Sequence, residues 1–271
     1  MCLAQNLEEQ TVLVLLSPAK KMHTTPAVRN LATTQPSMMD EIQLLSETTR
    51  TLEPANLKAL MGISDALSAL NHRRFQDFSP PFTDANATPA ALTFAGDTYQ
   101  GLDVGQLSDE DLQWAQGRVG ILSGLYGILR PLDLIQPYRL EMGTSLANPR
   151  GKNLYAFWGS AISDVINQST SSHSDKSIIN LASNEYFKAV KGGALAGSVV
   201  TPAFKEIRAD GPKMIGFFAK RARGMMARFI VQRRLETPEA LKDFNEAGYR
   251  FDPEGSTESS LLFTRPDTTG R

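Results

Sequence analysis

The chain has little cysteine, histidine or tryptophan: one Cys, three His and two Trp in 271 residues. A single thiol, Cys2, excludes an internal disulfide and fits a reducing compartment. It stands near Glu8 and Glu9, the wrong charge for a reactive thiolate, and reads as incidental. His23, His72 and His173 lie far apart with no second His or Cys at ligand spacing, so no zinc or haem signature forms. No apolar run approaches the roughly eighteen residues a membrane span needs. The opening MCLAQNLEEQ lacks the basic start and apolar stretch of a secretory signal. These absences predict a cytoplasmic protein that does not act on a membrane and has no metal site or cofactor. Catalytic signatures are missing too. Gly101, Gly105, Gly120, Gly124 and Gly127 build neither a phosphate loop nor a dinucleotide fingerprint, and no G-x-S-x-G elbow occurs. Their expected role is close packing of backbone against backbone.

What is present has the balance of a globular chain, 41% apolar and 21% charged. The net charge of −1 hides an uneven distribution. From Lys205 to Arg234 nine basic residues face only Glu206 and Asp210, so this stretch carries +7 and the remainder −8. A polyanion feels that local field rather than the average.

Thr11 to Leu16, apolar and rich in branched residues, predicts a buried strand that Ser17-Pro18 ends. A loop follows over 21–37, then a helix from Met38 to Leu52. Further strands are expected at 92–95, 178–181, 199–204, 214–219 and 261–264. Helices are expected at 109–116, 154–168, 183–190, 220–235 and 238–245, with solvated loops at 169–175 and 252–260. Strands dispersed between helices predict one domain of mixed α and β structure.

Residues 54–78 suggest two short helices. Pro54 suits a first turn, Leu57 and Leu60 share a face, Gly62 permits a tight turn and Ser64 can cap a second helix. Leu67 and Leu70 are its expected apolar stripe. The pattern Leu57-x-x-Leu60-x-Gly62-Ile63-Ser64 resembles the helix-hairpin-helix motif, which usually has glycine where Ser64 stands. Amides at such a turn can donate to a DNA phosphate. His72, Arg73 and Arg74 could add charge. An ordinary helical hairpin covering the sheet is the alternative.

Lys220 to Leu235 predicts a two-faced helix. Ala222, Met225, Met226, Phe229 and Ile230 fall on one side, and Lys220, Arg221, Arg223, Arg228 and Arg234 on the other. No acidic residue stands three or four positions away to neutralise the row, and each arginine can fork onto a phosphate. A solvated, ion-paired face is the alternative. A last group, Arg130, Asp133, Tyr138, Arg139 and Glu141, lies within a dozen residues; Asn184, Glu185 and Lys188 follow the expected strand at 178–181. Polar groups beyond a strand's carboxyl end often form a site in α/β proteins. A buried lysine beside a carboxylate could act as a Schiff-base nucleophile, and an ion-pair network that fixes loops is the other reading.

Several strings together resemble one family. Ser17-Pro18-Ala19-Lys20, Gly124-Leu125-Tyr126-Gly127, Arg130-Pro131-Leu132-Asp133, residues 137–142 (PYRLEM), Leu181-Ala182-Ser183, Glu185-Tyr186 and residues 220–224 look like the YaaA proteins of the bacterial peroxide stress response. The likeness extends from about Leu13 to Arg265. A ten-residue leader and Lys21 are departures. The resemblance implies a single domain over 11–267 after an extension at 1–10, with a mixed sheet or barrel-like core surrounded by helices and a helix-hairpin-helix-like element at 52–78. It also implies non-specific binding of duplex or distorted DNA through a positively charged cleft, limiting iron-dependent damage. The expected DNA contacts are Gly62, Ile63, Ser64, Arg73, Arg74, Lys220, Arg221, Arg223 and Arg228. An enzyme acting on damaged DNA or a nucleotide-like ligand is the rival, with Lys188, Glu185, Arg139 and Glu141 as candidates and Lys20, Arg130 and Tyr138 nearby. Iron sequestration by carboxylates is a third class. No established reaction comes with the resemblance.

Overall fold

The protein was analysed as a computed structural model that describes residues 12–23, 29–173 and 175–267. The extension at 1–10, Cys2, Thr11 and part of the 21–37 loop lie outside the described residues.

Leu13–Leu16 form β1 and are buried at all four positions. A strand covered on both faces belongs inside a parallel sheet. β1 pairs in parallel with β3 (Val119–Ser123) on one side and β6 (Ile178–Asn180) on the other. The parallel run continues through β7 (Val199–Arg208) to β10 (Ser260–Pro266). Antiparallel strands finish both edges: β4 (Gly127–Leu129) beside β3, and β9 (Arg250–Asp252) beside β10. The order is β4-β3-β1-β6-β7-β10-β9, with β8 (Gly211–Lys213) folded back on β7. A separate ribbon pairs β2 (Thr88–Pro89) with β5 (Leu134–Ile135). The domain is therefore mixed α/β with a mixed sheet, and the sheet is open rather than a closed barrel.

Helices fill the connections. α1 (Met39–Arg50), α2 (Pro54–Met61), α3 (Asp65–Asp77), α4 (Ala90–Thr93), α5 (Asp97–Leu102) and α6 (Asp109–Gln116) all lie between β1 and β3. α7 (Leu154–Trp158) and α8 (Ala161–Ser169) precede β6, α9 (Asn184–Phe187) follows it, and α10 (Gly216–Arg233) leads away from β8. Backbone crowding sets how α10 sits. A Cβ on Gly101 of α5 would overlap the Arg221 carbonyl, and one on Gly224 of α10 would overlap the Thr98 carbonyl. These two glycines let the helices cross in backbone contact, which fixes the first turns of α10 beside the start of α5. Gly124 meets the Leu140 carbonyl in the same way.

Five expectations need correction. Residues 92–95 are not a strand: α4 takes Ala90–Thr93, and Phe94 makes only a bridge to Met22. The region 214–219 is the loop and first turn leading into α10. The helix read over 154–168 breaks at Gly159, whose φ of +53° a helix cannot hold. Residues 238–243 form a 3-10 helix. In α3 the buried stripe is Ser68, Asn71 and Phe75, whereas Leu67 is 37% exposed.

Candidate functional site

Connections leaving β1 and β6 part in opposite directions, since β1 leads on to β3 and β6 to β7 across adjacent lanes of the sheet. Such a reversal opens a crevice at the carboxyl ends of the two strands. The crevice here is stitched at its floor. The Ser183 amide donates to Ser17 Oγ at 2.8 Å, and the Ser17 hydroxyl donates to Ser183 Oγ at 3.3 Å. The Tyr99 hydroxyl donates to the Ser17 carbonyl at 3.1 Å and ties α5 to the same point.

Above these serines lies a cleft of about 310 Å³, walled by the segments after β1 and β6, the start of α5, Glu141, and Lys220 and Arg223 of α10. Of three larger hollows, those of about 680 and 690 Å³ each hold a single lysine and one of about 470 Å³ holds no basic side chain. In the smaller cleft the carboxylates are Asp97, Glu141 and Glu185. Glu141 is held by Lys20 at 2.7 Å and Arg139 at 3.1 Å. Glu185 accepts from the Gly143 amide at 2.9 Å. Lys220 and Arg223, one turn apart on α10, have no carboxylate or hydrogen-bond partner among the described residues. Partial burial without a counter-ion lowers the pKa of the Arg223 guanidinium by desolvation.

The polar group around residue 135 divides in two. Arg130 closes on Asp133 at 2.9 Å, and buried Asp133 also takes the Thr34 hydroxyl and the Arg130 amide. That pair is a loop lock away from the cleft. Tyr138 is buried, its hydroxyl 2.6 Å from Ser123 Oγ, and desolvation pushes its pKa well up. Arg139 and Glu141 do reach the cleft rim; Arg139 Nε is buried without a hydrogen-bond partner. Lys188 is exposed at the end of α9, its ammonium 5.1 Å from the Tyr155 ring centroid. A solvated ammonium lacks the burial a Schiff-base lysine needs. Asn184 is exposed as well.

The hairpin is built as its residues suggest. Gly62 ends α2 in the left-handed region (φ 61°), and Ser64 Oγ accepts from the Leu67 amide at 3.3 Å to start α3. Leu57 is buried and Ile63 nearly so, while Gly62 and Ser64 are exposed. Asp65 follows the turn and pairs with Lys58 at 2.8 Å. Arg73 is exposed; Arg74 is half-buried against Asn71, with its pKa lowered by desolvation. α2 borders the segment 145–147, which continues the cleft-lining strip from Glu141, so one strip runs from the cleft to the hairpin's first helix.

The basic helix is only partly free. Arg228 pairs with Glu246 at 2.7 Å and Asp103 at 3.7 Å, and Arg234 with Asp111 at 2.8 Å. Arg233 stands over Phe229. These carboxylates come from other elements, which spacing along α10 could not reveal. Lys220, Arg221 and Arg223 remain, gathered in its first two turns. The serine stitch and the desolvated, unpaired state of Arg223 escaped sequence reasoning. A serine just beyond each of two apolar strands was the only signal for the first.

The fold and cleft define an α/β protein with a cationic switch-point crevice. The sequence pattern of the family described as peroxide stress protein YaaA matches residues 12–255. A UPF0246 protein of Magnetococcus marinus is 50% identical over 254 residues, covering 94% of this chain and 99% of the relative. A UPF0246 protein of Cellvibrio japonicus is 49% identical over 258 residues, with the same coverage of each chain. The chain belongs to the YaaA family of peroxide stress proteins. Among the described residues no helix is long and apolar enough to cross a membrane, and no three His, Cys, Asp or Glu side chains cluster as metal ligands.

Proposed function

We propose that this protein binds DNA through its phosphates without reading sequence, and that this binding limits iron-dependent damage during peroxide stress. One observation carries the reading: Lys220 and Arg223 are unpaired on one short ridge of α10, and Arg221, about 100° round the helix from Lys220, is unpaired as well, while the other arginines of α10 are engaged. Cations without counter-ions release condensed ions from a polyanion when they bind it. The turn at Gly62, Ile63 and Ser64, exposed at Gly62 and Ser64 and buried at Ile63, supplies a second contact through the Ile63 and Ser64 amides. The Gly62 amide is spent on the Lys58 carbonyl, and Arg73 is exposed two turns further along α3. The Lys58–Asp65 pair keeps the Asp65 carboxylate from presenting a bare negative charge there.

The test is binding to duplex, single-stranded and bubble DNA across a salt series. Three neutralised phosphates give a slope of roughly −2.7 in log affinity against log salt, more if the hairpin adds its own. An Arg221→Ala variant is expected to lose affinity on every duplex sequence alike. Salt-independent binding, or loss on one sequence only, would overturn the reading.

A further inference from the structure

Arg223 and Lys220 do more than line a ridge: both open on the cleft above the Ser17–Ser183 stitch. The hydrogen bonding there leaves one donor over. The Ser17 hydroxyl is spent on Ser183 Oγ, and the Ser183 amide on Ser17 Oγ. The Ser183 hydroxyl hydrogen has no acceptor among the described residues. On its α10 side the cleft thus offers two cations without counter-ions, Lys220 and Arg223, and beside them one undirected hydroxyl, on a floor of Pro18 and Ala19 beside Tyr186. Of its carboxylates, Glu141 and Glu185 are already held, by Lys20 and Arg139 and by the Gly143 amide. Asp97 at the start of α5 and Lys21 after β1 have no ion-pair partner among the described residues and cancel in formal charge, leaving Lys220 and Arg223 in excess.

A partly buried guanidinium without a partner is costly unless a ligand completes it. A carboxylate would compensate one of the two cations; a terminal phosphate, carrying close to two charges, matches both. The volume lies at the lower end of the range for small-molecule sites. We infer that this cleft is a phosphomonoester-binding site, in which Arg223 and Lys220 neutralise the phosphate and the Ser183 hydroxyl donates to it. The inference shares Lys220 and Arg223 with the proposed duplex contact and differs from it in ligand, since a duplex presents phosphodiesters with one charge each. Two sources share the chemistry, a free mononucleotide and a DNA strand ending in a 5′-phosphate.

Calorimetric titration of the full chain tests it, with dAMP, deoxyadenosine, and a short single strand bearing either a 5′-phosphate or a 5′-hydroxyl. Binding of dAMP but not deoxyadenosine supports the site with the free nucleotide as its ligand. A preference for the 5′-phosphorylated strand over its hydroxyl twin supports it with the strand end. In either case Arg223→Ala is expected to weaken binding about tenfold or more, and Ser183→Ala severalfold. Arg233→Ala removes a charge from the same helix outside the cleft and is expected to change affinity less than about twofold. Melting curves of each variant confirm folding. No discrimination by the phosphate group in either arm, or equal weakening by Arg223→Ala and Arg233→Ala, overturns the inference. Duplex affinity measured on the same samples keeps the two readings separate: duplex binding lost with dAMP binding intact would strike only the former.

Discussion

Gly224 of α10 lies directly against the carbonyl of Thr98 in α5, and Gly101 of α5 meets the Arg221 carbonyl in return. Neither position has room for a methyl group that backbone could yield to. Gly224→Ala or Gly101→Ala is therefore expected to cost about 1–3 kcal/mol or more by overpacking, against the usual gain from alanine in a helix. Chemical denaturation measures it. A neutral or stabilising result would show that the two helices are not in backbone contact. The same crossing holds Lys220 and Arg223 over the cleft, so these variants are also expected to weaken anion binding.

Arg221 and Arg228 separate the exposed from the engaged arginines of α10. Arg228 has an 18% exposed side chain and two carboxylate partners, Glu246 and Asp103. Arg228→Ala is expected to lower stability by roughly 1–3 kcal/mol, since it strands partly buried carboxylates, and to leave DNA affinity within about twofold. Arg221→Ala is expected to do the reverse. Parallel melting and salt-titrated binding decide it, and a large affinity loss in Arg228→Ala would mean that its ion pairs open on DNA.

Arg228 also shows why part of the site was hidden in the sequence. Spacing along one helix finds partners at three or four residues, while Glu246 and Asp103 arrive from distant segments. Local signals were read well where they were self-contained. Asp109–Gln116 emerges with its predicted bounds because Ser108 and Asp111 form a capping box. Gly62 and Ser64 fixed the hairpin turn for the same reason. β3 and β4 were missed because Gly120, Gly124 and Gly127 punctuate a short stretch whose strand character depends on β1 beside it. The short apolar run at 92–95 has no period long enough to separate strand from helix. The cleft was half legible: polar residues after β6 were visible, but their meeting with Ser17 and Arg223 is a product of topology.

Glu206 lies inside the sheet, on β7 between β10 and β8, with its side chain 1% exposed and Arg265 at 2.7 Å and Arg208 at 3.4 Å; the Arg265 guanidinium stands over the rings of Phe218 and Tyr249. Removing the carboxylate charge takes from the buried Arg265 guanidinium its 2.7 Å ion pair. Glu206→Gln is expected to destabilise by about 3–5 kcal/mol, measured by urea unfolding. A cost below about 1 kcal/mol would mean that water or another carboxylate replaces Glu206.

The tyrosines give the protein an alkaline limit. Burial raises the pKa of Tyr99, Tyr126, Tyr138 and Tyr186, with neighbouring phenols or carboxylates adding to the shift at Tyr99, Tyr126 and Tyr186. In the unfolded chain each ionises near pH 10. Above that pH the unfolded state releases protons that the native state keeps, so stability falls as pH rises and is unaffected below it. Four such groups steepen the fall to roughly 5 kcal/mol per pH unit once all are ionised in the unfolded chain, before their native pKa values are reached. Tyrosinate absorbance from these rings is expected to rise together with the loss of circular dichroism, as one cooperative step. Tyr138→Phe removes one of the four protons and the bond to Ser123; its transition is expected to be shallower in pH, with about 1 kcal/mol less stability at neutral pH. Full tyrosinate absorbance appearing near pH 10 in a chain that keeps its native dichroism would show that these phenols reach water without unfolding.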